Sequence, residues 1–294
     1  MPGPWLYRAM PVEAGTWDVQ SAYRFCNNLA RRHYENFPVV FGILGRPQQD
    51  ALAAVYAFAR IADDFADEPQ YEGVRERLLD VWEAELERCL GGEAEHPVFI
   101  ALSDAVKRYN LPAQALRDLL SAFRQDCRRQ RYETFSLVLD YCRRSANPVG
   151  RLVLAVLGIL DERRAEWSDA ICTALQLTNF WQDLSVDIPR GRLYIPLEDL
   201  ERFHVPEEGL MAQRPTGDIA GLIRFEVERT EALFDEGRPL LTSTFGPGTI
   251  YFGLVFLGGK TVLRMVKALG PSALYTRPSL GPSLLWHIGR QWMR

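Results

Sequence analysis

Apolar side chains recur every three or four residues along most of the chain, which is the spacing typical of amphipathic helices. The strict alternation of apolar and polar residues that is typical of strands is almost absent. The pattern therefore predicts an all-α fold, with helices near residues 18–36, 47–67, 72–90, 97–109, 113–130, 134–159, 163–186, 218–242 and 249–268.

Two segments break the helical pattern. Residues 188–217 are rich in proline, glycine and arginine, and we predict one long irregular connection there. Long connections inside a compact helical domain are commonly functional. Residues 270–282 are rich in proline and glycine, and we expect them at the surface. The expected organisation is a single domain over residues 1–294, with residues 1–17 and 270–294 peripheral.

Composition narrows the classes of function. A chain of 294 residues that is 47% hydrophobic can bury a large core. Its net charge of −4 argues against a general nucleic-acid binder, so no nucleic-acid partner is expected. The five cysteines lack metal-ligand spacing and are interpreted as reduced thiols. Uninterrupted apolar runs such as 250–257 are too short to span a bilayer. We predict a cytoplasmic protein, with peripheral contact with the inner face of a membrane as the alternative.

A first polar stripe lies in the mostly apolar segment 56–67. Tyr56, Arg60, Asp63 and Asp67 are spaced 4, 3 and 4 residues apart. At about 100° per residue they fall within an arc of roughly 60° on one side of a helix. Asp64 lies about 100° from Asp63 on the same count, and we expect it to point elsewhere. Arginine and aspartate in a largely buried helix need partners, because unpaired buried charge is costly.

A second stripe follows in segment 176–187. Gln176, Asn179, Asp183 and Asp187 are spaced 3, 4 and 4 residues apart and fall within an arc of roughly 80°. One such acidic pair is commonly a solvated helix face, but two pairs in apolar segments favour a site. If the two stripes face each other, their hard oxygen ligands suit Mg²⁺, which keeps several waters and bridges to a substrate phosphate.

Three sequence blocks resemble the squalene/phytoene synthase family: YAFARIADDFAD at 56–67, YCRRSANPVG at 141–150, and QLTNFWQDLSVDIPRGRLYIP at 176–196. The similarity runs from about His33 to Tyr194. It implies an isoprenoid-synthase-type helical bundle with a central active-site cavity. By the resemblance, the magnesium ligands are Asp63, Asp67, Asn179 and Asp183, with Asp187 completing the second motif. The implied diphosphate and substrate contacts are His33, Tyr56, Arg60, Gln176, Arg192 and Tyr194.

Departures from the family pattern indicate which of the family's reactions to expect. Condensing members carry small hydroxyl residues after the histidine, where this chain has Tyr34 and Asn36. They also carry a basic residue before the second-motif aspartate, where this chain has Gln182. Fewer cationic donors suit an enzyme that handles one diphosphate rather than two. In these features the chain looks most like the bacterial hydroxysqualene synthase branch of hopanoid and squalene biosynthesis. That likeness implies presqualene diphosphate and water as substrates.

Alternatives stay open at this point. Within the enzyme class, the chain is a candidate for head-to-head condensation that gives presqualene diphosphate or phytoene. A non-enzymatic assembly or binding role is less favoured, because such a protein has no need of two intact acidic pairs. The oligomeric state does not follow from the sequence. Some aromatic residues are candidates for the cavity wall, with plain core packing as the alternative: Phe25, Phe37, Phe58, Phe180 and Trp181.

Overall fold

The computed structural model describes residues 17–32, 43–128 and 131–279. Within these ranges every regular element is a helix, which confirms the all-α prediction. The chain divides into two compact units. The described residues up to Arg128, together with Leu152–Ile159, form the first unit, and the remaining described residues form the second. The single-domain boundaries, with peripheral ends, stay a prediction.

The first unit is built around one alanine-rich helix. Its helices are α1 (Val19–Arg32), α2 (Arg46–Asp67), α3 (Arg75–Leu90), α4 (Pro97–Tyr109) and α5 (Ala113–Asp126). Helix α2 packs against the other four, and its buried alanines let them approach closely. The buried Trp82 of α3 donates its indole N–H to the carbonyl of Phe58 at 3.1 Å. This bond satisfies a polar group inside the core and fixes α3 against the helix that carries the first acidic stripe.

The second unit is built around the helix that carries the other stripe. Its helices are α6 (Phe135–Ser145), α7 (Asn147–Val156, which ends in the first unit), α8 (Glu162–Gln182), α9 (Leu184–Asp187), α10 (Leu197–Arg202), α11 (Glu207–Met211), α12 (Ile219–Gly237), α13 (Leu240–Ser243) and α14 (Pro247–Leu269). Helix α8 packs against α6, α12 and α14. The buried indole N–H of Trp181 donates to the hydroxyl of Thr230 at 2.9 Å, which ties α8 to α12.

Several predicted boundaries differ from the structure. The helix predicted over 134–159 is interrupted at Ala146, because Pro148 lacks an N–H and restricts the preceding residue. The irregular connection predicted over 188–217 instead contains a 3₁₀ turn at Ile188–Arg190 and the short helices α10 and α11. Helices of one or two turns are too short to show periodicity. The surface segment predicted from residue 270 begins with a 3₁₀ turn, Gly270–Leu274, whose last two side chains are buried.

One stretch of the described residues, Pro247–Leu274, is long and apolar enough to cross a membrane by length and composition alone. Only 44% of its most apolar window is buried inside the protein. Core helices pass the same test. Helix α14, which makes up most of this stretch, packs against both α8 and α12.

We expect Gly150→Ala to destabilise the second unit. A Cβ at Gly150 would lie 2.2 Å from the Ser168 hydroxyl and 2.6 Å from the Cys172 sulfur, both on α8. Overpacking of this kind costs about 1–3 kcal/mol, which outweighs the helix propensity that alanine adds. Gly258→Ala in α14 is the matched control, because nothing lies within 4 Å of its added Cβ. That change should raise stability by up to about 1 kcal/mol. Equal thermal midpoints for the two variants would contradict the packing argument.

Candidate functional site

The first acidic motif occupies the last two turns of α2. The Arg60 guanidinium lies 2.5 Å from an Asp64 carboxylate oxygen and 3.5 Å from Asp63. The expectation that Asp64 points away from the stripe was therefore wrong. Asp64 is four residues after Arg60, which puts the two only about 40° apart on the helix. Arg60 is held between both carboxylates and is 25% exposed.

The charges of this motif are set by burial and by these ion pairs. Burial alone would lower the pKa of the Arg60 guanidinium, but Asp64 and Asp63 outweigh it and the pKa is raised. Burial raises the pKa of the Tyr56 phenol, against the opposing effect of Arg60. Arg60 is thus a permanent cation and Tyr56 a protonated donor at neutral pH. The Asp63 side chain is 46% exposed, so its carboxylate is open to a further cation. Asp67 ends the helix one turn later.

The second acidic motif spans the end of α8 and the short helix α9. The Asp183 N–H donates to the carbonyl of Asn179 at 2.9 Å, and the Asp187 N–H donates to the carbonyl of Asp183 at 2.8 Å. The three residues therefore stand on successive turns, as their spacing predicts. Asp183 itself ends α8 and precedes α9 with a non-helical backbone. Asn179 is exposed, while both aspartates are half-buried.

A C-terminal segment covers part of this motif. The Arg277 Nε lies 2.5 Å from one Asp183 carboxylate oxygen, and its Nη2 lies 3.4 Å from the other. Gln182 donates its side-chain amide to the carbonyl of Pro278 at 2.7 Å. Sequence reasoning missed Arg277, because an arginine 94 residues away carries no local signal that it pairs with Asp183.

The second motif is electrostatically suited to a further cation. Burial and the neighbouring Asp183 carboxylate raise the pKa of Asp187 to about 6, although Arg190 and Arg277 oppose the shift. Burial is the main cause of the raised pKa, and the Asp183 carboxylate adds to it. A cation bound beside these carboxylates would favour their ionised forms. Their oxygens, with the Asn179 amide oxygen, are the hard ligands that Mg²⁺ prefers.

The described residues contain no group of three or more histidine, cysteine or acidic side chains that could hold a metal ion. Each motif contributes a pair of aspartates. A pair is compatible with Mg²⁺, which keeps several waters and takes further oxygens from a bound phosphate. The donor chemistry therefore fits magnesium, and the predicted ligand set stays a prediction.

A tight turn returns the chain to the second motif. Gly191 has a φ of 80°, and the Arg192 N–H donates to the carbonyl of Asp187 at 2.9 Å. Arg131 holds the turn, because its Nη1 donates to the carbonyl of Gly191 at 2.5 Å while its Nε pairs with Glu207. Arg192 is thereby placed beside the second motif by its backbone.

Aromatic rings surround Tyr194. Its ring stacks on Phe180 with centroids 3.8 Å apart and planes 3° from parallel. Tyr132 lies 5.8 Å from Tyr194, and Tyr141 lies 6.1 Å from Phe180. Gln176, one turn before Phe180, is half-buried. Sequence reasoning identified Phe180 and Tyr194 but not Tyr132, which precedes α6 and reaches the cluster only through folding. The other candidate wall residues of the described helices α2 and α8, Phe58 and Trp181, are buried core.

Some predicted site residues are not placed by the structure. His33, Tyr34 and Asn36 lie outside the described residues. The first motif belongs to the first unit and the second motif to the second. The prediction that the two acidic stripes face each other stays a prediction.

Comparison with known proteins identifies the family. Residues 30–282 match the family model described as squalene/phytoene synthase. The hydroxysqualene synthase of Rhodopseudomonas palustris is 37% identical over 210 residues, which cover 70% of each chain. The 15-cis-phytoene synthase of Synechocystis is 32% identical over 230 residues, which cover 74% of this chain and 68% of the relative.

Solved structures agree with this assignment. The squalene synthase HpnC of Alicyclobacillus acidocaldarius is 41% identical, with a TM-score of 0.82 over 86% of this chain and 95% of that one. A dehydrosqualene synthase with a TM-score of 0.82 is 22% identical and supports the fold alone. Sequence and fold lead to the same result: the chain belongs to the squalene/phytoene synthase family, whose members act on isoprenoid diphosphates.

Proposed function

We propose that the protein is a hydroxysqualene synthase, which converts presqualene diphosphate and water into hydroxysqualene and diphosphate. The observation that carries the proposal is the neutral Gln182 directly before Asp183. The 37% identity to a hydroxysqualene synthase and the 41% identity to a squalene synthase structure support it.

The surroundings of Gln182 support the same choice. Its amide is engaged with the carbonyl of Pro278, so this position offers no positive charge. The nearby Arg277 guanidinium is paired with Asp183. A head-to-head condensation brings two highly charged diphosphates to the enzyme, and each needs compensating donors. A substrate with one diphosphate needs fewer positively charged donors at this motif.

The first step of the proposed reaction is loss of diphosphate. The bond between the cyclopropylcarbinyl carbon and its oxygen breaks, and the electron pair leaves with the diphosphate. Bound magnesium would neutralise the departing charge. Arg60 remains a cation in its setting between two carboxylates, and Tyr56 remains protonated, so both can donate hydrogen bonds to the departing oxygens.

The second step is rearrangement and capture of the carbocation. Aromatic faces stabilise a cation that is shielded from bulk water. The stacked rings of Tyr194 and Phe180 offer such faces, and Phe180 directly follows Asn179 of the second motif. The oxygen of a water molecule then forms the new carbon–oxygen bond and releases a proton. The oxygen of the resulting C30 alcohol comes from solvent.

A second candidate function is head-to-head condensation to presqualene diphosphate or phytoene. It is favoured by the 32% identity to 15-cis-phytoene synthase over a longer aligned stretch. A role without catalysis is disfavoured because both acidic motifs are intact.

Substrate choice tests the proposal. Purified protein with Mg²⁺ is incubated in ¹⁸O-labelled water with either presqualene diphosphate or farnesyl diphosphate, and products are identified by mass spectrometry. We expect diphosphate release and a labelled C30 alcohol from presqualene diphosphate. We expect coupling of farnesyl diphosphate to be slower by orders of magnitude, because an uncompensated charge costs several kcal/mol.

The alternatives give different products. Efficient conversion of farnesyl diphosphate into presqualene diphosphate or phytoene-type hydrocarbon would replace the proposal with the condensing function. Release of diphosphate from neither substrate would favour a role without catalysis. Asp183→Asn serves as the control for contaminating activity, since product that this variant forms at the wild-type rate does not depend on the second motif.

A further inference from the structure

A groove in the second unit is lined by residues that do not belong to the acidic motif of that unit. It is formed by α12, α13 and α14 and has a volume of about 390 Å³. Leu241, Phe256 and Leu257 give it an apolar floor. Three basic side chains line it as well: Arg238, Lys260 and Arg264. The groove thus combines positive charge with apolar surface, and these are the two features that bind an anionic amphiphile.

The basic residues of the groove are only partly neutralised. Lys260 pairs with Asp235 at 2.8 Å. Arg238 and Arg264 are exposed, and neither forms an ion pair with another described residue. Other arginines of the same unit are neutralised by acids, as Arg151 is by Asp169 at 2.6 Å and Arg229 is by Asp199 and Glu226. The groove therefore carries a local positive excess on a chain whose net charge is −4.

A large aromatic side chain is exposed to solvent on the loop that leads into the groove. Phe245 is 87% exposed, the highest value among the large apolar residues that the structure describes. It follows Thr244, whose carbonyl accepts a hydrogen bond from the Thr249 hydroxyl at 2.6 Å. Thr249 also lines the groove, so the loop that carries Phe245 is fixed to its edge. A free inorganic anion would use the arginines but would make no use of this ring.

We propose that this face of the second unit docks onto the surface of a membrane that contains anionic phospholipids. Arg238, Lys260 and Arg264 receive the lipid phosphates, and Phe245 enters the interfacial layer. Basic residues that meet anionic headgroups beside an apolar side chain are the usual determinants of interfacial binding. Helix α14 lies along the interface rather than across it, because it packs against α8 and α12 and carries Lys260 and Arg264. The proposal is independent of the reaction that the enzyme catalyses.

Vesicle flotation of the full chain tests the docking without measuring activity. Vesicles of phosphatidylcholine alone are compared with vesicles that contain roughly one third phosphatidylglycerol. We expect binding to the anionic vesicles that weakens as salt is added, and little binding to the neutral ones. Each basic residue near an anionic surface contributes about a fivefold change in affinity, so R238A/R264A should bind on the order of 25-fold more weakly. We expect about a tenfold loss for F245S.

The matched control is Arg224→Ala, which removes an exposed arginine from α12 outside the groove. It should bind vesicles as the wild type does, and all variants should keep the wild-type thermal midpoint because the substituted side chains are exposed. Three results would overturn the proposal. They are failure of the wild type to float with anionic vesicles, equal binding by wild type and R238A/R264A, and a groove that binds inorganic phosphate through both arginines while F245S floats like the wild type.

Discussion

Asp63→Asn and Asp183→Asn are each expected to reduce turnover of the diphosphate substrate by about 10²-fold to 10³-fold, with the helical fold intact. Each change removes one charge from a motif that the family resemblance assigns to magnesium binding. Asp63 is 46% exposed and Asp183 is 30% exposed at the side chain, so neither carboxylate supports the core. The loss is measured as diphosphate release under saturating substrate, with circular dichroism as the check on folding.

The controls for this prediction come from the structure. Asp64→Asn is not an inert control, because Asp64 contacts Arg60 at 2.5 Å. Asp80→Asn and Asp169→Asn are better matched, since each carboxylate pairs with a structural arginine, at 2.5 Å and 2.6 Å, in the unit that holds the corresponding motif. Both should retain activity within a few-fold. Wild-type activity in Asp63→Asn or Asp183→Asn would contradict the prediction that the substituted motif binds magnesium.

A double variant tests whether the two motifs serve one diphosphate, as the sequence predicts. If Asp63 and Asp183 act on the same leaving group, the effects of the two substitutions on the activation free energy are not additive. The double variant should then be little slower than the slower single variant. Multiplied losses would indicate that the two carboxylates act independently.

Removal of magnesium is expected to stop turnover, and its return is expected to restore it. The leaving diphosphate then has only Arg60, Tyr56 and neighbouring donors to compensate its charge. Excess chelator should leave the thermal midpoint of the substrate-free protein nearly unchanged, because a site completed by substrate phosphate holds the metal weakly beforehand. Full activity in excess chelator would contradict the magnesium prediction.

The Arg277 contact sharpens the magnesium prediction. Because the guanidinium pairs with Asp183, a metal ion must compete with it for that carboxylate. The pair is half-exposed, so its removal in Arg277→Gln should tighten metal binding by at most about fivefold. Direct titration with Mn²⁺, followed by electron paramagnetic resonance, measures this without substrate. Arg151→Gln, which frees Asp169 on the same helix, should leave the affinity unchanged.

Local sequence patterns were enough to predict the long helices and the spacing of the acidic motifs. Helical periodicity predicted the long helices to within a few residues at most described ends, because it depends only on neighbours three and four positions away. The spacing of Asn179, Asp183 and Asp187 likewise placed them on successive turns. Even the contact between Arg60 and Asp64 follows from helix geometry, and it was missed only because Asp64 was compared with Asp63 instead of with Arg60.

Only the tertiary structure decided the contacts between distant segments. Arg277 reaches Asp183 across 94 positions, and Arg131 reaches the Gly191 carbonyl across 60. The stacking of Tyr132 beside Tyr194 and the basic groove between α12 and α14 likewise depend on how helices pack. Many packings satisfy the same periodicity, and side-chain shape and charge select among them only after the helices have assembled. The sequence by itself determined the helices, the acidic stripes and the family. The partners of those stripes were decided by the packing.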